Sequence, residues 1–503
     1  MSDVVRKVIA LSIVILGAAL LWAGRRSYTD AQDAKTAMDA SVASAEEQAA
    51  SHNPRLKGTY SFERGGWVYV HLEGEPFTIG YQHGYMLAKE IEDAFPAVQA
   101  GMMHSSHRDW PFFREVAREQ LWPKLDPEYQ QELEGIAEGL HARTGSALDV
   151  YDIVALNSFE EVPDYYVAWL DKQQQTANAP NLKSPGNCSA FVATGSWTKD
   201  GQIVIAHNNW TSYMNGERWR IIFDIQSTHG YRILMDGFPG VIVSDDDFGI
   251  NSDGLMVTET TITQFEGWDP NGKPEFMRAR KALQYASSID DYTRIMLDGN
   301  NGGYANDWLL GDRKTGEIAQ FELGLRAYKL WRTKDGAFSG SNWARDPKVL
   351  KLDTPQFDPN NLETSPNARR VRWEQLLNEN KGKIDVALAE QMLSDHYDSY
   401  EKKTQANERT LCGHVENTQG ISIWGWGPNY PGGAVQGKAT DSTMTKEMRL
   451  VARVGHPCGE DFIAKPFLDA HPDYAWQAPY LRDMKAGPWS FFQSGEGHSV
   501  AAK

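Results

Sequence analysis

From Trp67 to Leu72 (WVYVHL) apolar and polar positions alternate among β-forming residues, and the break at Gly74 to Pro76 predicts that this strand enters a helix from Phe77 to about Phe95. Pro127 to Arg143 (PEYQQELEGIAEGLHAR) opens with proline and early glutamates and predicts a further helix, followed by another from Leu148 to Glu161. The portion before residue 188 therefore reads as mainly helical. Lys172 to Asn187 (KQQQTANAPNLKSPGN) lacks apolar periodicity and reads as an exposed loop. Beyond it the period shortens. Cys188 to Thr194, Gln202 to His207, Trp219 to Ser227, Tyr231 to Met235, Val241 to Ser244 and Leu255 to Ile262 are short β-rich runs separated by turn signals such as KDG, THG and NSDG. This pattern predicts a sheet built of hairpins. Several runs are apolar on both faces, which requires cover on both sides, and helices at Glu275 to Ala286 and Asp290 to Leu297 can supply it. Strands at Asp307 to Gly311 and Glu317 to Leu323 and helices at Ala368 to Leu377 and Asp385 to Leu393 complete an α+β architecture with helices outside and sheets inside.

Charge removes one class of partner. With 50 Lys and Arg against 67 Asp and Glu, the formal charge of -17 repels phosphate backbones, so nucleic acid is excluded as a partner. The N-terminus adds a location. Val8 to Gly24 (VIALSIVILGAALLWAG) carries no charge and is flanked by Arg6, Lys7, Arg25 and Arg26. As a helix it reaches roughly 26 Å, just short of a ~30 Å hydrocarbon core, so residues 1–27 read as a signal anchor or a cleaved signal peptide. Residues 28–56 are rich in Ala, Ser, Asp, Glu and Gln and read as a low-complexity stem. The expected organisation is then a mainly helical precursor segment, 57–187, and a mature chain, 188–503, together one structural unit working outside the cytoplasm. Its membrane contact runs through the N-terminal segment.

Three cysteines are too few for a disulfide scaffold, and their spacing is not that of a zinc site. Outside the cytoplasm Cys412 and Cys458 can pair as a disulfide, which leaves Cys188 as the odd thiol. His104 and His107, and the run Asp245, Asp246, Asp247, lack third and fourth metal ligands at usual spacings, so neither metal nor cofactor is expected.

Cys188 stands at the start of a predicted strand directly after Ser184-Pro185-Gly186-Asn187. A thiol there can attack the preceding carbonyl, pass through a thioester and be released by water, cutting the chain between Asn187 and Cys188. The freed α-amine, with an ordinary pKa of about 7.7 to 8.0, then takes the thiol proton and serves as base. A buried inert cysteine is the alternative that position alone favours.

The strings NCSAFVATGSWTKDGQIVIAHNNW, SDDDFGI and LMVTETTI resemble the phospholipase B-like family and the related isopenicillin N acyltransferase-type hydrolases, both of them N-terminal nucleophile hydrolases. The resemblance extends upstream to GEPFTIGYQHG and ELEGIAEGL and downstream to GGYANDWLLGD and SPNARRVRWEQLL. It implies a four-layer αββα sandwich with antiparallel sheets, self-cleavage before Cys188, and Cys188 as nucleophile toward an amide or ester acyl group. By similarity Asn306 in YANDW supplies the oxyanion amide, with Thr260 in TETTI as a nearby donor. Acyltransferase members end the segment equivalent to AHNNW in Asp, where this chain has Trp210, so His207 or Asn209 takes over orientation of the Cys188 amine. Hairpin counting puts His207 off direct register with Cys188. Arg369, in ARRVRW, resembles an arginine near the site of bile-salt and penicillin amidases, while its place in a helical run alone reads as a surface arginine.

The expected function is a self-cleaving cysteine hydrolase acting on linear amides of an N-acyl compound. The same site also fits a phospholipase B-like lipid ester hydrolase or acyltransferase, and the same fold fits a non-catalytic binding protein.

Overall fold

The structure, a computed structural model, describes residues 53–174, 188–418 and 426–497. The Val8 to Gly24 segment, most of the stem and Asn187 lie outside the described residues. Among those described, no helix is long and apolar enough to cross a membrane. Two compact units are present, Met1–Tyr60 with Gly495–Lys503, and Ser61–Ser494. In the first, a short turn at Pro54–Leu56 is capped by Asn53, whose side chain accepts from the Arg55 amide.

The large unit is an α+β body. One sheet has nine strands in the order Tyr60–Arg64, Trp67–Gly74, Ile221–Ser227, Ile233–Gly237, Gly249–Asn251, Leu255–Thr261, Asn306–Asp312, Glu317–Leu323 and Tyr328–Thr333. A second has six, in the order Gly336–Gly340, Cys188–Gly195, Gly201–Ser212, Gly432–Asp441, Arg449–Val454 and Ser490–Gln493. Most neighbours are antiparallel, as hairpins require. Trp67–Gly74 and Ile221–Ser227 instead run parallel, matched from Val68 with Ile221 to Gly74 with Ser227. This pair joins residues from either side of Cys188 in one ladder.

Several elements depart from the sequence pattern. The helix expected over Phe77 to Phe95 is two helices, Pro76–Met86 and Ala88–Ser106, parted at Leu87, whose ψ of 20° leaves the helical range. Val241 to Ser244 is a loop rather than a strand. Its neighbouring backbone groups are satisfied by a side chain instead of a ladder: Asn157 Nδ2 donates to Gly240 O at 2.8 Å, and the Ile242 amide donates to Asn157 Oδ1 at 2.8 Å. The strand expected over Gln202 to His207 runs on to Ser212, burying the polar AHNN stretch that broke its apolar pattern. The strands Gly432–Asp441 and Arg449–Val454 were not anticipated. The first (GGAVQGKATD) is too rich in glycine and polar residues to show a period, although nearly all of it is buried.

The helices Pro76–Met86 and Pro127–Thr144 lie backbone against backbone. A Cβ at Gly80 would stand 1.8 Å from Glu132 O, at Gly84 2.0 Å from Ile136 O, at Gly135 2.3 Å from Phe77 O, and at Gly139 2.1 Å from Tyr81 O. The glycines of GEPFTIGYQHG and ELEGIAEGL are therefore packing residues, interlocked at four-residue spacing on both helices. Gly84→Ala and Gly135→Ala are expected to destabilise the protein by about 1–3 kcal/mol or more, because backbone cannot yield as a side-chain tip does. Gly101→Ala, where the new carbon meets only Met214 Cε at 3.4 Å, leaves the melting temperature unchanged or higher. Thermal unfolding of the three variants checks this ordering.

Candidate functional site

Cys188 opens the strand Cys188–Gly195 and is fully buried. Directly across the ladder stands Asn209. The Cys188 amide donates to Asn342 Oδ1 at 3.1 Å, and its carbonyl accepts from Arg369 Nη1 at 2.5 Å. Its Sγ lies 3.6 Å from Glu259 Oε1, on the strand Leu255–Thr261 of the other sheet. Nitrogen, carbonyl and sulfur thus each have a polar partner.

Local sequence explains the clamp. Asn342 follows the strand Gly336–Gly340 at a φ of 69°, a left-handed conformation that asparagine tolerates, and its amide donates to Thr261 O at 2.9 Å. Arg369 lies one turn into the helix Ser365–Glu379, which has Pro366 in its first turn. Its Nε donates to Ser365 Oγ at 2.9 Å, Nη1 also to Ser189 Oγ at 2.9 Å, and Nη2 to Asn342 Oδ1 at 2.7 Å. The guanidinium stacks over the Trp210 ring, 4.3 Å from its centroid. Burial draws its pKa down to about 9, which leaves it charged at neutral pH. Arg369 is fully buried, not a surface arginine, and Trp210 supports it where acyltransferases carry an aspartate.

Glu259 ties further groups to the thiol. With its amide turned so that nitrogen faces the carboxylate, Asn306 donates to Glu259 Oε2 at 2.8 Å and to Ala305 O at 3.1 Å. Both of its N–H groups are then engaged, so Asn306 positions Glu259 rather than offering a free donor. Tyr304 O–H lies 3.5 Å from Glu259 Oε1. Thr260 has a buried, unpartnered hydroxyl that lies over Gly340, on the strand beside Cys188–Gly195, and takes no part in the bonds to the thiol.

His207 pairs with Ala190 in the ladder, two residues from Cys188, yet one of its ring nitrogens lies within 4.8 Å of both the Cys188 sulfur and a Glu259 oxygen. Behind it Lys438, its ladder neighbour on Gly432–Asp441, donates to Asp246 and, at 3.0 Å, to Asp236 Oδ2. His207 Nδ1 is 3.8 Å from Asp246 Oδ2. Within the SDDD run it is Asp246 that, together with Asp236, balances the buried lysine.

Burial, reinforced by Lys438, lowers His207 to about 3 and keeps it neutral. Burial, with Glu259 and Asp246 adding to it, pushes the Cys188 thiol well above its ordinary value. Burial, then Asp247 and Asp246, raises Glu259 far out of the carboxylate range. Cys188, His207 and Glu259 are therefore all uncharged. Around them His207 Nδ1 and Nε2 and Asn209 Nδ2 are buried without hydrogen-bond partners.

The structure brings Cys188, His207, Asn209 and Arg369 together, reaches Asn306 through Glu259, and sets Thr260 against Gly340 on the neighbouring strand. Sequence reasoning missed Glu259 and Asn342. Glu259 lies inside the quoted TETTI string, an acid at an otherwise buried strand position, and that was the available signal. Asn342, in SGSNWARD, belongs to no regular pattern.

A cavity of about 270 Å³ opens one residue along the strand from Trp210, lined by Met102, Glu160, Asp164, Thr211, Trp426 and Trp476 among others. Trp426 packs at a tilt against Trp210, 6.4 Å between centroids, and so connects the cavity wall to the ring beneath Arg369. Burial pushes the Asp164 carboxyl up to about 7, and Glu160 is raised by burial and by Asp164. His104 lines the same cavity and stacks on Trp476 at 3.8 Å, an aromatic contact rather than a ligand role.

The thiol thus opens a strand, is clamped at its own nitrogen and carbonyl, and has the unpartnered nitrogens of His207 and Asn209 beside it. Residues 77–338, just over half of the chain, match the family model described as Phospholipase B, and the chain belongs to that family. It is similar to Phospholipase B-like protein F of Dictyostelium discoideum, 32% identical over 139 residues that cover 26% of this chain and 24% of that protein. It is also similar to an uncharacterized protein of Archaeoglobus fulgidus, 26% identical over 290 residues, 52% of this chain and 44% of that one. The matched stretches thus span from about a quarter to under half of these relatives' length.

Lys438→Met leaves Asp236 and Asp246 buried without their cation and is expected to destabilise the protein by about 3–5 kcal/mol at neutral pH. Without the lysine both carboxyls have folded pKa values above their unfolded ones, so the deficit is smallest at low pH and grows as pH rises through those values. Denaturant titrations of both proteins across the acid range check the magnitude and its sign.

Proposed function

We propose that this protein is a cysteine hydrolase that cuts its own chain before Cys188 and then cleaves linear amide bonds of an N-acyl compound through a thioester on Cys188. One observation carries the reading: a buried sulfur is surrounded by a carboxyl, an imidazole and an amide whose polar atoms are partly unpaired. Such groups cost about 1–3 kcal/mol each when left unsatisfied, and a cysteine that served packing alone would have apolar neighbours.

In the maturation step Sγ attacks the carbonyl carbon of residue 187, the C–N bond to Cys188 breaks, and the thiol proton leaves with the nitrogen by way of neutral His207. Water then hydrolyses the thioester, giving a carboxylate at 187 and a free amine and thiol on Cys188. Asn342 Oδ1, already bonded to that nitrogen, orients the amine, and adjacent Arg369 disfavours its protonation. In turnover the amine takes the thiol proton, the sulfur attacks the substrate carbonyl, and the Asn209 amide, opposite Cys188, donates to the oxyanion. The amine returns its proton to the leaving nitrogen, and water releases the acid. A four-layer αββα arrangement belongs to this reading. Contacts between the sheets, Cys188 with Glu259, Gly340 with Thr260 and Ile203 with Gly311, support it.

A second reading at the same site is lipid ester hydrolysis, in keeping with the family's description. The cavity supports it, because Trp426, Trp476 and Tyr430 form an aromatic lining suited to a quaternary ammonium headgroup, whose charge would draw the neighbouring Glu160 and Asp164 carboxyls toward ionisation. In either case the N-terminal segment, residues 1–27, is proposed to deliver the body outside the cytoplasm.

Denaturing gels of purified protein are expected to show fragments of roughly 21 and 35 kDa, at about 0.11 kDa per residue, the larger beginning at Cys188, with Cys188→Ala remaining whole. An uncut chain with full activity overturns the proposal. Deacylation of an N-acyl amino acid, set beside hydrolysis of phosphatidylcholine, separates the two substrate readings; activity on neither favours a binding protein. Asn209→Ala is expected to lower kcat by about 10²- to 10³-fold with little change in KM, whereas Thr260→Val stays near wild type, as steady-state kinetics will show.

A further inference from the structure

A second cluster of reactive side chains lies apart from the thiol site. His396 follows the helix Val386–Leu393, Cys412 and His414 belong to the loop before the turn Val415–Asn417, and Cys458 follows the strand Arg449–Val454. Only Cys412 and His414 are near neighbours in sequence. One ligand atom from each of the four lies within 4.8 Å of every other.

The distances are those of a tetrahedron. Zinc bonds of about 2.3 Å to sulfur and 2.0–2.1 Å to nitrogen separate adjacent ligands by roughly 3.4–3.8 Å. His414 Nε2 lies 3.7 Å from Cys412 Sγ and 3.6 Å from Cys458 Sγ. His414 Nδ1 meets Glu416 Oε1 at 2.9 Å, so with its Nδ1 proton given to that carboxylate, the Nε2 lone pair faces both sulfurs. Glu416 in turn accepts from the Tyr213 hydroxyl. His396 Nε2 is buried with no hydrogen-bond partner.

The backbone around the four is fixed without a ligand. The Cys412 amide donates to Asp395 O at 3.1 Å, the His414 amide to Asn407 O at 3.1 Å, and the Gln405 amide to His396 O at 2.8 Å. Cys412 and Cys458, expected as a disulfide pair, are both free thiols. A disulfide would draw the sulfurs to about 2.05 Å and leave the inward nitrogens of His396 and His414 with nothing to bind. A cation uses all four.

We propose that His396, Cys412, His414 and Cys458 form a structural zinc site. Two thiolates and two neutral imidazoles neutralise a dication, and four protein ligands close the coordination sphere, which is the mark of a structural rather than a catalytic site. The metal would join three loops. One of them carries Gly413, where a Cβ would stand 2.0 Å from the Trp210 ring, so the site also holds the surface beneath Arg369.

The test uses the full chain purified after expression with added zinc. Elemental analysis is expected to give one zinc per chain. Replacement by cobalt(II) gives the visible absorption of a tetrahedral thiolate site, and removal of the metal by a chelator lowers the melting temperature, with recovery on adding zinc alone. His396→Ala and Cys458→Ala lose the metal, while Cys188→Ala retains it, which separates this site from the nucleophile whatever the fate of the proposed activity. Should either variant fail to fold, stoichiometry and the cobalt spectrum of the unaltered chain still decide. A chain that takes up no metal, one that prefers another metal at this site, or a Cys412 to Cys458 disulfide found by mass spectrometry overturns the proposal.

Discussion

A single buried guanidinium sets the geometry on which the site depends. Arg369 has no exposed surface, and an arginine in such a place is tolerated only when its fork is filled by acceptors. Those acceptors are the carbonyl of Cys188, the hydroxyls of Ser189 and Ser365, and Asn342 Oδ1. Each comes from a strand start, a helix start or the turn after a strand, so satisfying one charge brings three chain segments into register. The Trp210 ring closes the remaining face. The strand end that carries the thiol is held by this demand more firmly than by the ladder alone.

Electrostatics behind the thiol follow a similar rule with the signs reversed. Asp236, Asp246, Asp247 and Glu259 are all buried, and burial alone would press each toward its neutral form. One lysine resolves the conflict in part. Lys438 stays charged because Asp236 and Asp246 outweigh its loss of solvent, and in return it keeps Asp246 ionised. Glu259, farther from that cation, stays protonated next to the sulfur. The continuous chain therefore presents a thiol whose ionisation is opposed from several sides, and in the proposed scheme the new amine supplies the base that the precursor lacks.

What could be seen in the sequence divides along physical lines. Runs whose side chains follow one period, such as Trp67 to Leu72, Pro127 to Arg143 and Glu317 to Leu323, appear as expected because local pattern and burial agree. Val241 to Ser244 looked like a strand and is not, since the Asn157 side chain, far away in sequence, takes the place of a neighbouring strand. Gly432–Asp441 is a central strand whose glycines pack closely under neighbours and whose Lys438 side chain is buried against carboxylates, so hydrophobicity could not reveal it. Cys188 and Arg369 were visible through motif order. Asn342 and Glu259 were not, because their roles arise from contacts between two sheets, which no local window contains. The cluster of His396, Cys412, His414 and Cys458 escaped for the same reason: its ligands come from separate loops, at none of the spacings by which metal sites are usually noticed.

The shared ladder bears on how a cut chain could remain one molecule. Trp67–Gly74 precedes the proposed cleavage point and Ile221–Ser227 follows it, and their parallel pairing is buried on both faces of a continuous sheet. The helices Pro76–Met86 and Pro127–Thr144, also from the earlier segment, interlock through glycines and rest on the same core as the later strands. Breaking one peptide bond adds a carboxylate and an amine but removes none of these contacts. Separation of the fragments would expose apolar surface from both, at about 25 cal/mol per Å², together with unpaired ladder amides. The free energy that holds the fragments is therefore that of the fold itself. The bond before Cys188 is then dispensable for stability, and its hydrolysis can serve chemistry alone.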